Sequence, residues 1–342
     1  MAIDDMRFAY RVTKAGTLKN LKLKEEKMPK PQPGEVLVKV AAIGLNFADI
    51  FAIKGLYSAT PDGAFVPGLE YAGTIISTGE GVKHLKPGDK VMGVTRFGGY
   101  ATHITIDARY VTHLPVNWSP EEGAAFPVQA LTAYYALFEL GNLQKGMSVL
   151  IHSAAGGVGI FAGRMAREAG AYTIGTIGSA KKVEVLEREG YEKIIVRDKD
   201  FPQKLNEALR GRELQVVLEC IGGRIFKQSL EALDPMGRLV TYGSASFATH
   251  GNRPNYLKLI WKYLFRPKVD PMKLPTSNKS VMGFNLIWLY EKAELMHELM
   301  EKIGEMNIGK PFVGQTYDFT SLPEAVTALQ SGQTVGKVIV IT

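Results

Sequence analysis

The run Ser148-Val149-Leu150-Ile151-His152-Ser153-Ala154-Ala155-Gly156-Gly157-Val158-Gly159 constrains this chain more than any other. An apolar strand ends in a glycine turn that opens directly onto the helical pattern Ile160 to Ala169. A chain builds a dinucleotide pyrophosphate site in this way. Gly156 lets the backbone approach the phosphates, and Gly159 lets the new helix sit close against the strand. The helix N-terminus then presents unpaired N–H groups with partial positive charge. Ala154 stands where the usual fingerprint has its first glycine, and a second apolar strand, Tyr172 to Thr176, begins after Gly170. Strand before and helix after raise this above a bare glycine match. Ala154, Gly156, Gly157, Val158 and Gly159 are the predicted phosphate contacts.

From Gly146 onward strand and helix patterns alternate: Val149 to His152, Gly157 to Ala169, Tyr172 to Thr176, Ala180 to Glu189, Lys193 to Val196, Phe201 to Arg210, Leu214 to Cys220, Arg224 to Leu233 and Arg238 to Gly243. Such alternation predicts an α/β fold with a doubly wound parallel sheet covered on both faces. Residues 1–127 read instead as short strands between proline and glycine turns, a β-rich domain. The tail contains a strand around Phe312 to Tyr317, a helix from Leu322 to Leu329 and a closing strand Lys337 to Ile341. These fit no further βαβ unit and predict a return to the first domain. The expected organisation is a catalytic domain over 1–127, a nucleotide-binding domain over 128–284 and a C-terminal return over 285–342.

Composition excludes several alternatives. Cys220 is the only cysteine, which rules out an internal disulfide framework and a thiolate-rich structural zinc site. No apolar run approaches the ~18 residues of a membrane span, and the N-terminus lacks a basic-then-apolar signal layout, so a cytoplasmic protein is expected. The net charge of +7 is dispersed rather than gathered in a stripe with stacking aromatics, so nucleic-acid binding is not expected.

Several further runs, taken with the glycine turn, carry a resemblance. They are Gly44-Leu45-Asn46-Phe47-Ala48-Asp49, Val66-Pro67-Gly68-Leu69-Glu70-Tyr71-Ala72-Gly73, Leu85-Lys86-Pro87-Gly88-Asp89-Lys90-Val91 and Leu131-Thr132-Ala133-Tyr134-Tyr135. The chain resembles, over nearly its whole length, the zinc-independent quinone oxidoreductase branch of the medium-chain dehydrogenase/reductase superfamily. Within that branch Leu233 to Gly243, Val281 to Asn285 and Val335 to Val338 look most like the vesicle amine transport protein homologues. The resemblance implies a chaperonin-10-like (GroES-like) β-rich domain beside a Rossmann domain, with the active site in the cleft between them. It also implies a homodimer through the edge strand Ser280 to Phe284. In zinc-dependent relatives a cysteine and a histidine hold the catalytic metal at the places taken here by Asn46 and Leu69. Neither supplies a thiolate or imidazole, so no metal is expected.

Without a metal, the accessible reaction is hydride delivery to an already electrophilic carbon, in a quinone or an α,β-unsaturated carbonyl. The protein must then orient the reactants, exclude water and stabilise the developing oxyanion. Asn46 and Gln129 are candidate donors, and Tyr57 is the best phenol for lining the pocket or giving a proton; capping of a loop is the rival role for Tyr57. Asp49 is expected to fix its loop. Thr132 reads as opening a helix, near the cofactor by resemblance or as a cap.

No acid follows the second strand to grip a ribose 2′-hydroxyl; Gly178, Ser179 and Lys182 stand there instead. Lys182 matches the lysine that relatives direct at a 2′-phosphate, so NADP(H) is the expected cofactor. Where relatives place a tyrosine this chain has Val196, and the neighbouring Arg197 is the candidate substitute. Gly222 and Tyr242-Gly243-Ser244 follow the fourth and fifth strands at the carboxyl edge of the sheet. Phe284, Asn285 and Lys337 are placed near the cofactor by resemblance. Cys220 is expected to be a packing thiol and His152 an ordinary strand residue.

Residues 254–268 form an aromatic and basic stretch bounded by prolines, with Leu257, Ile260, Trp261 and Leu264 at helical spacing. Packing or cleft lining is the leading expectation, and peripheral contact with an anionic membrane is the rival. The alternative to a reductase is thus an NADPH-binding, membrane-associated or regulatory protein with little turnover.

Overall fold

The structure, a computed structural model, describes residues 5–248 and 251–342. Its six-stranded sheet is wholly parallel, in the order Lys193–Val196, Tyr172–Ile177, Ser148–His152, Val216–Glu219, Arg238–Thr241, Ser280–Gly283. Counted from the glycine-turn strand this is the order 3-2-1-4-5-6, in which ligands bind where the winding reverses, beyond the carboxyl ends of the first and fourth strands. Ser148–His152 and Val216–Glu219 are buried at every position because helices cover both faces. The alternation in the sequence therefore corresponds to a Rossmann sheet.

The second sheet has seven strands. Val313–Asp318 and Lys337–Ile341 pair in parallel and join Glu35–Gly44, which pairs in turn with Glu70–Thr78, followed by Lys90–Val94 and Val111–His113; His103–Asp107 lies on Glu35–Gly44 as well. The two strands from the tail thus complete a sheet begun some 300 residues earlier. Helix Leu322–Gln330 makes the crossover between them.

Helix Pro127–Tyr134 carries the chain from one sheet to the other. Pro127 occupies its first turn, where a missing N–H costs nothing, and the helix runs on into a π-helical turn, Tyr135–Leu140. Thr132 is therefore inside this helix, not at its opening, and the capping role expected for it is set aside. The helix is also central to packing. Ala130, Leu131 and Ala133 are buried in a core shared with Phe161 and Met165 of helix Gly157–Glu168 and with Leu299 and Ile303 of helix Ala293–Gly304.

Candidate active site

At the end of strand Ser148–His152, Ser153 bends the chain through a left-handed backbone conformation (φ 52°), uncommon for a residue with a side chain. Gly156 then caps helix Gly157–Glu168. A glycine cap brings no side-chain acceptor, so the first-turn N–H groups stay available to an anion. A Cβ on Gly159 would stand 2.5 Å from Ala154 Cα, and one on Gly157 would stand 2.6 Å from Gln129 Oε1. Packing behind the turn and Gln129 in front of it both demand glycine. Ala154 itself is fully buried beneath the turn, so its side chain supports the helix start and does not reach a ligand as expected. Gly222 is the other departure: it lies off the cleft wall, its N–H donating to Glu219 Oε1 at 2.7 Å.

The remaining predicted site residues line one cleft of about 1560 Å³, to which elements of both sheets contribute. Small-ligand sites usually measure roughly 300–1,000 Å³. The space accommodates a dinucleotide and a second molecule beside it. With a glycine cradle, an open helix N-terminus and this volume, the residues fit a dinucleotide cofactor.

Asn46, the residue before helix Phe47–Ile53, anchors a buried polar network at one end of the cleft. Its Oδ1 accepts from Lys337 Nζ at 2.8 Å and from Gln129 Nε2 at 2.8 Å. Its Nδ2 donates to Glu70 Oε1 at 3.0 Å and to the Gly44 carbonyl at 3.2 Å. An ammonium can only donate, so the atom facing Lys337 must be the amide oxygen, and the orientation follows. Both hydrogens of Asn46 are thereby committed within the protein, which makes it an orienting residue in this arrangement. Lys337 also forms an ion pair with Glu70, both side chains almost completely buried. The other Glu70 oxygen takes the Val128 N–H at 3.0 Å. Glu70 was not singled out from the sequence, although a signal existed: it and Lys337 are lone opposite charges inside apolar strand patterns.

Asp49 sits beneath this network. Its carboxylate accepts from the backbone N–H groups of Asn46 (2.8 Å) and Gly68 (3.2 Å) and from the Tyr100 hydroxyl (3.0 Å). Complete burial pushes it up to about 7 against those hydrogen bonds. It ties the Asn46 turn to the Gly68 turn, the positional role expected of it. Tyr57 donates to Asn285 Oδ1 at 2.7 Å, joining two predicted residues 228 positions apart. Burial pushes its phenol up to about 12, so it is neutral near pH 7. Phe284 packs its ring against Tyr135, at 5.0 Å between centroids, and faces Tyr242 at 6.1 Å.

At the far end of the cleft Lys182 donates to the carbonyls of Gly332 and Thr334, both at 2.8 Å. Arg197 donates to Thr176 Oγ1 at 2.7 Å. It is half-buried, and burial lowers its affinity for its proton. No carboxylate among the described residues forms an ion pair with it. Glu219, whose charge it feels, is occupied by the N–H groups of Ile221 and Gly222 at 2.7 Å each. A half-buried cation with no carboxylate in direct contact, its guanidinium against Gly178, suits an anionic ligand.

His152 is fully buried. Its Nδ1 meets Thr176 Oγ1 and its Nε2 meets Ser229 Oγ, each at 2.8 Å, and burial pulls it down to about 3. The folded chain therefore refuses a proton that the unfolded chain takes up below about 6.5. This contribution to stability is complete above that pH and is lost as pH falls toward 3, at up to roughly 1.4 kcal/mol per unit. Asp49 works in the opposite direction, since it retains a proton to about 7 that the unfolded chain releases near 4. The test is accordingly a difference: urea midpoints of the parent and of His152→Gln, followed from neutral pH to about pH 4.5, should diverge, with the parent losing more. Parallel curves would rule out a neutral buried His152. Cys220 is half-buried and lines the cleft, where desolvation pushes it up and keeps it a thiol, so it is not the plain packing thiol expected.

The stretch 254–268 forms helix Tyr256–Leu264, capped by Asn255, whose Oδ1 accepts from the Lys258 N–H at 3.0 Å. Tyr256, Leu259, Ile260, Tyr263 and Leu264 face the cleft; Leu257, Trp261 and the following Phe265 point outward and are exposed. Lys262 ties the helix to the Ser246 carbonyl. Cleft lining thus accounts for one face of the helix. No helix among the described residues is long and apolar enough to cross a membrane.

Comparison with known proteins agrees with this architecture. Residues 32–116 match the alcohol dehydrogenase GroES-like domain family and residues 157–301 match the zinc-binding dehydrogenase family. Among the described residues no group of three or more His, Cys, Asp or Glu is placed to hold a metal ion. The human synaptic vesicle membrane protein VAT-1 homolog is 34% identical over 317 residues, covering 92% of this chain and 80% of its own length. The Escherichia coli quinone oxidoreductase complexed with NADPH superposes with a TM-score of 0.85 at 29% identity, covering 98% of this chain and 100% of that one. The CurK enoyl reductase superposes equally well, with a TM-score of 0.85 at 29% identity and 98% and 99% coverage.

Proposed function

We propose, from the premise that this chain belongs to the medium-chain dehydrogenase/reductase superfamily and is an oxidoreductase of that kind, that it is a zinc-independent reductase. It uses NADPH to reduce quinones or α,β-unsaturated carbonyls. The observation that carries this reading is the buried network around Asn46, a neutral amide whose oxygen is taken up by Lys337 and Gln129 and whose hydrogens are taken up by Glu70 and Gly44, with apolar Leu69 at the other place where a metal ligand would be needed. Structural relatives described as a quinone oxidoreductase and an enoyl reductase support it. The NADPH complex of the former, together with Lys182 and Arg197 here, supports the cofactor.

When bound, reduced nicotinamide supplies the hydride. The first-turn N–H groups of 157–159 would hold the cofactor's pyrophosphate and Lys182 and Arg197 its 2′-phosphate, in the part of the cleft lined by Gly178, Ser179, Tyr242, Gly243, Ser244 and Phe284. Glu70 and Lys337 hold Asn46, which holds Gln129, so this end of the cleft is pre-set before the substrate arrives. Tyr57, neutral near pH 7, is held by the hydrogen bond it donates to Asn285 Oδ1, and on exchanging that acceptor for the reduced substrate's oxygen it would supply the proton. Gln129 and Thr132 present further polar groups to the reacting end. NADPH consumption with a panel of quinones and enones, in a buffer containing a chelator, tests the reading. Chelator-insensitive turnover is expected. Consumption with none of them would leave an NADPH-binding regulatory protein.

A second reading concerns location. Trp261 and Phe265, their rings tilted at 41° with centroids 4.2 Å apart, and Met272 are exposed in a stretch of chain that also carries Lys258 and Lys268, and the VAT-1 relative is described as a vesicle membrane protein. We infer peripheral contact of this face with anionic lipid, on an otherwise cytoplasmic protein. Flotation with phosphatidylserine-containing vesicles should fall several-fold in Trp261→Ala with Lys258→Glu; unchanged flotation sets the contact aside. Ser280–Gly283 ends the six-stranded sheet as an edge strand and supports a homodimer through it, which a monomer mass in light scattering would exclude.

A further inference from the structure

The cleft is larger than a small quinone or short enone requires, and helix Tyr256–Leu264 forms an apolar stretch of its wall. Tyr256, Ile260, Tyr263 and Leu264 recur on one face of this helix and are each more than half exposed, while Leu259 beside them is buried and fixes the helix in place. Exposed large apolar side chains are ordinary when scattered; four aligned along one wall of a ligand cleft are not. The wall is continuous with the reacting end, since the same cavity is lined by Tyr57, Asn46 and Gln129. A nine-residue helix is about 14 Å long, ample for an extended alkyl or prenyl chain.

We propose that this helix face is a tail subsite, and that the substrate is an electrophile carrying a long apolar chain that lies against Tyr256, Ile260, Tyr263 and Leu264. The inference rests on the reductase reading for the electrophilic head; the tail is read from the wall alone. Apolar contact between tail and wall removes both from water, and each methylene buried is worth roughly a threefold to fourfold gain in affinity. The outward face of the same helix serves no part of this site.

Binding tests the subsite independently of turnover. NADP-loaded protein is titrated calorimetrically with unreactive saturated methyl ketones and prenyl-tailed hydroquinones of increasing chain length. Affinity should rise roughly threefold per added carbon over about the first six carbons, and the long-to-short ratio should collapse toward one in Ile260→Ser with Leu264→Ser. Trp261→Ser, further round the helix and outside the cleft lining, should retain the ratio. Which head group binds more tightly distinguishes an enone-type from a quinone-type source. Affinity independent of chain length, or a ratio that survives the double substitution, overturns the subsite while leaving the reductase reading intact. Chain-length dependence without turnover of any enone or quinone keeps the subsite and removes the reductase.

Discussion

Lys337→Met should lower the unfolding free energy by about 3–5 kcal/mol, the largest loss expected from any single substitution in the site. The pair it breaks is almost fully buried, and Glu70 would be left as a carboxylate with no exposure and no cation. The favourable part of such a pair is offset by desolvation, but removing one partner keeps the penalty and discards the attraction. The remaining donors to Glu70, from Val128, Asn46 and Gln129, are neutral. Combining Lys337→Met with Glu70→Gln leaves no stranded charge, so the double variant should regain much of the loss. Urea denaturation of the three proteins measures this. A single-variant loss below about 1 kcal/mol would mean that the pair behaves like an exposed one.

The second large effect belongs to the other end of the cleft. Lys182→Ala with Arg197→Ala should weaken NADPH binding by a hundredfold or more while changing NADH binding much less. A charge-assisted hydrogen bond contributes roughly 1.5–3 kcal/mol and tenfold corresponds to about 1.4 kcal/mol, so two contacts to one phosphate support that range. Arg197 bears the greater interest, because the sequence departs from its relatives at Val196 and the guanidinium next to it has no carboxylate in direct contact. Fluorescence titration with both cofactors separates the possibilities. Equal losses for NADPH and NADH would assign the two cations to holding the loop at 332–334, where Lys182 already makes two hydrogen bonds.

Local signals carried much of the fold. The buried parallel strands are uninterrupted apolar runs, the glycine turn must be glycine because Ala154 and Gln129 leave no room for a Cβ, and the tail strands failed to fit a βαβ unit because they belong to the other sheet. Contacts made only in three dimensions were not legible. Thr132 is the exception, since Pro127 five residues before it is a helix-start signal in the chain itself and places Thr132 inside the helix. Asn46 read as a free donor because its acceptor Glu70, 24 residues on, reaches it only when the sheet is assembled. Ala154 was read from motif position, whereas its burial comes from the helix lying over it. Helix Tyr256–Leu264 is apolar on more than one face, so periodicity could not assign one face to the cleft and the other to the exterior.

The closing strand Lys337–Ile341 lies in the interior of its sheet, between Val313–Asp318 and Glu35–Gly44, and Gly336 donates to the Ala155 carbonyl on its way there. During synthesis, therefore, the first sheet emerges from the ribosome lacking an internal strand, and although His103–Asp107 soon covers residues 35–39, the 42–44 end of Glu35–Gly44 presents an unpaired edge until some 290 further residues have been made. The Rossmann sheet needs no such wait, since all its strands are contained in 148–283. Folding order is thus expected to run against chain order. The part made first is finished last, and the nascent N-terminal half is the portion that a chaperone has most reason to shield.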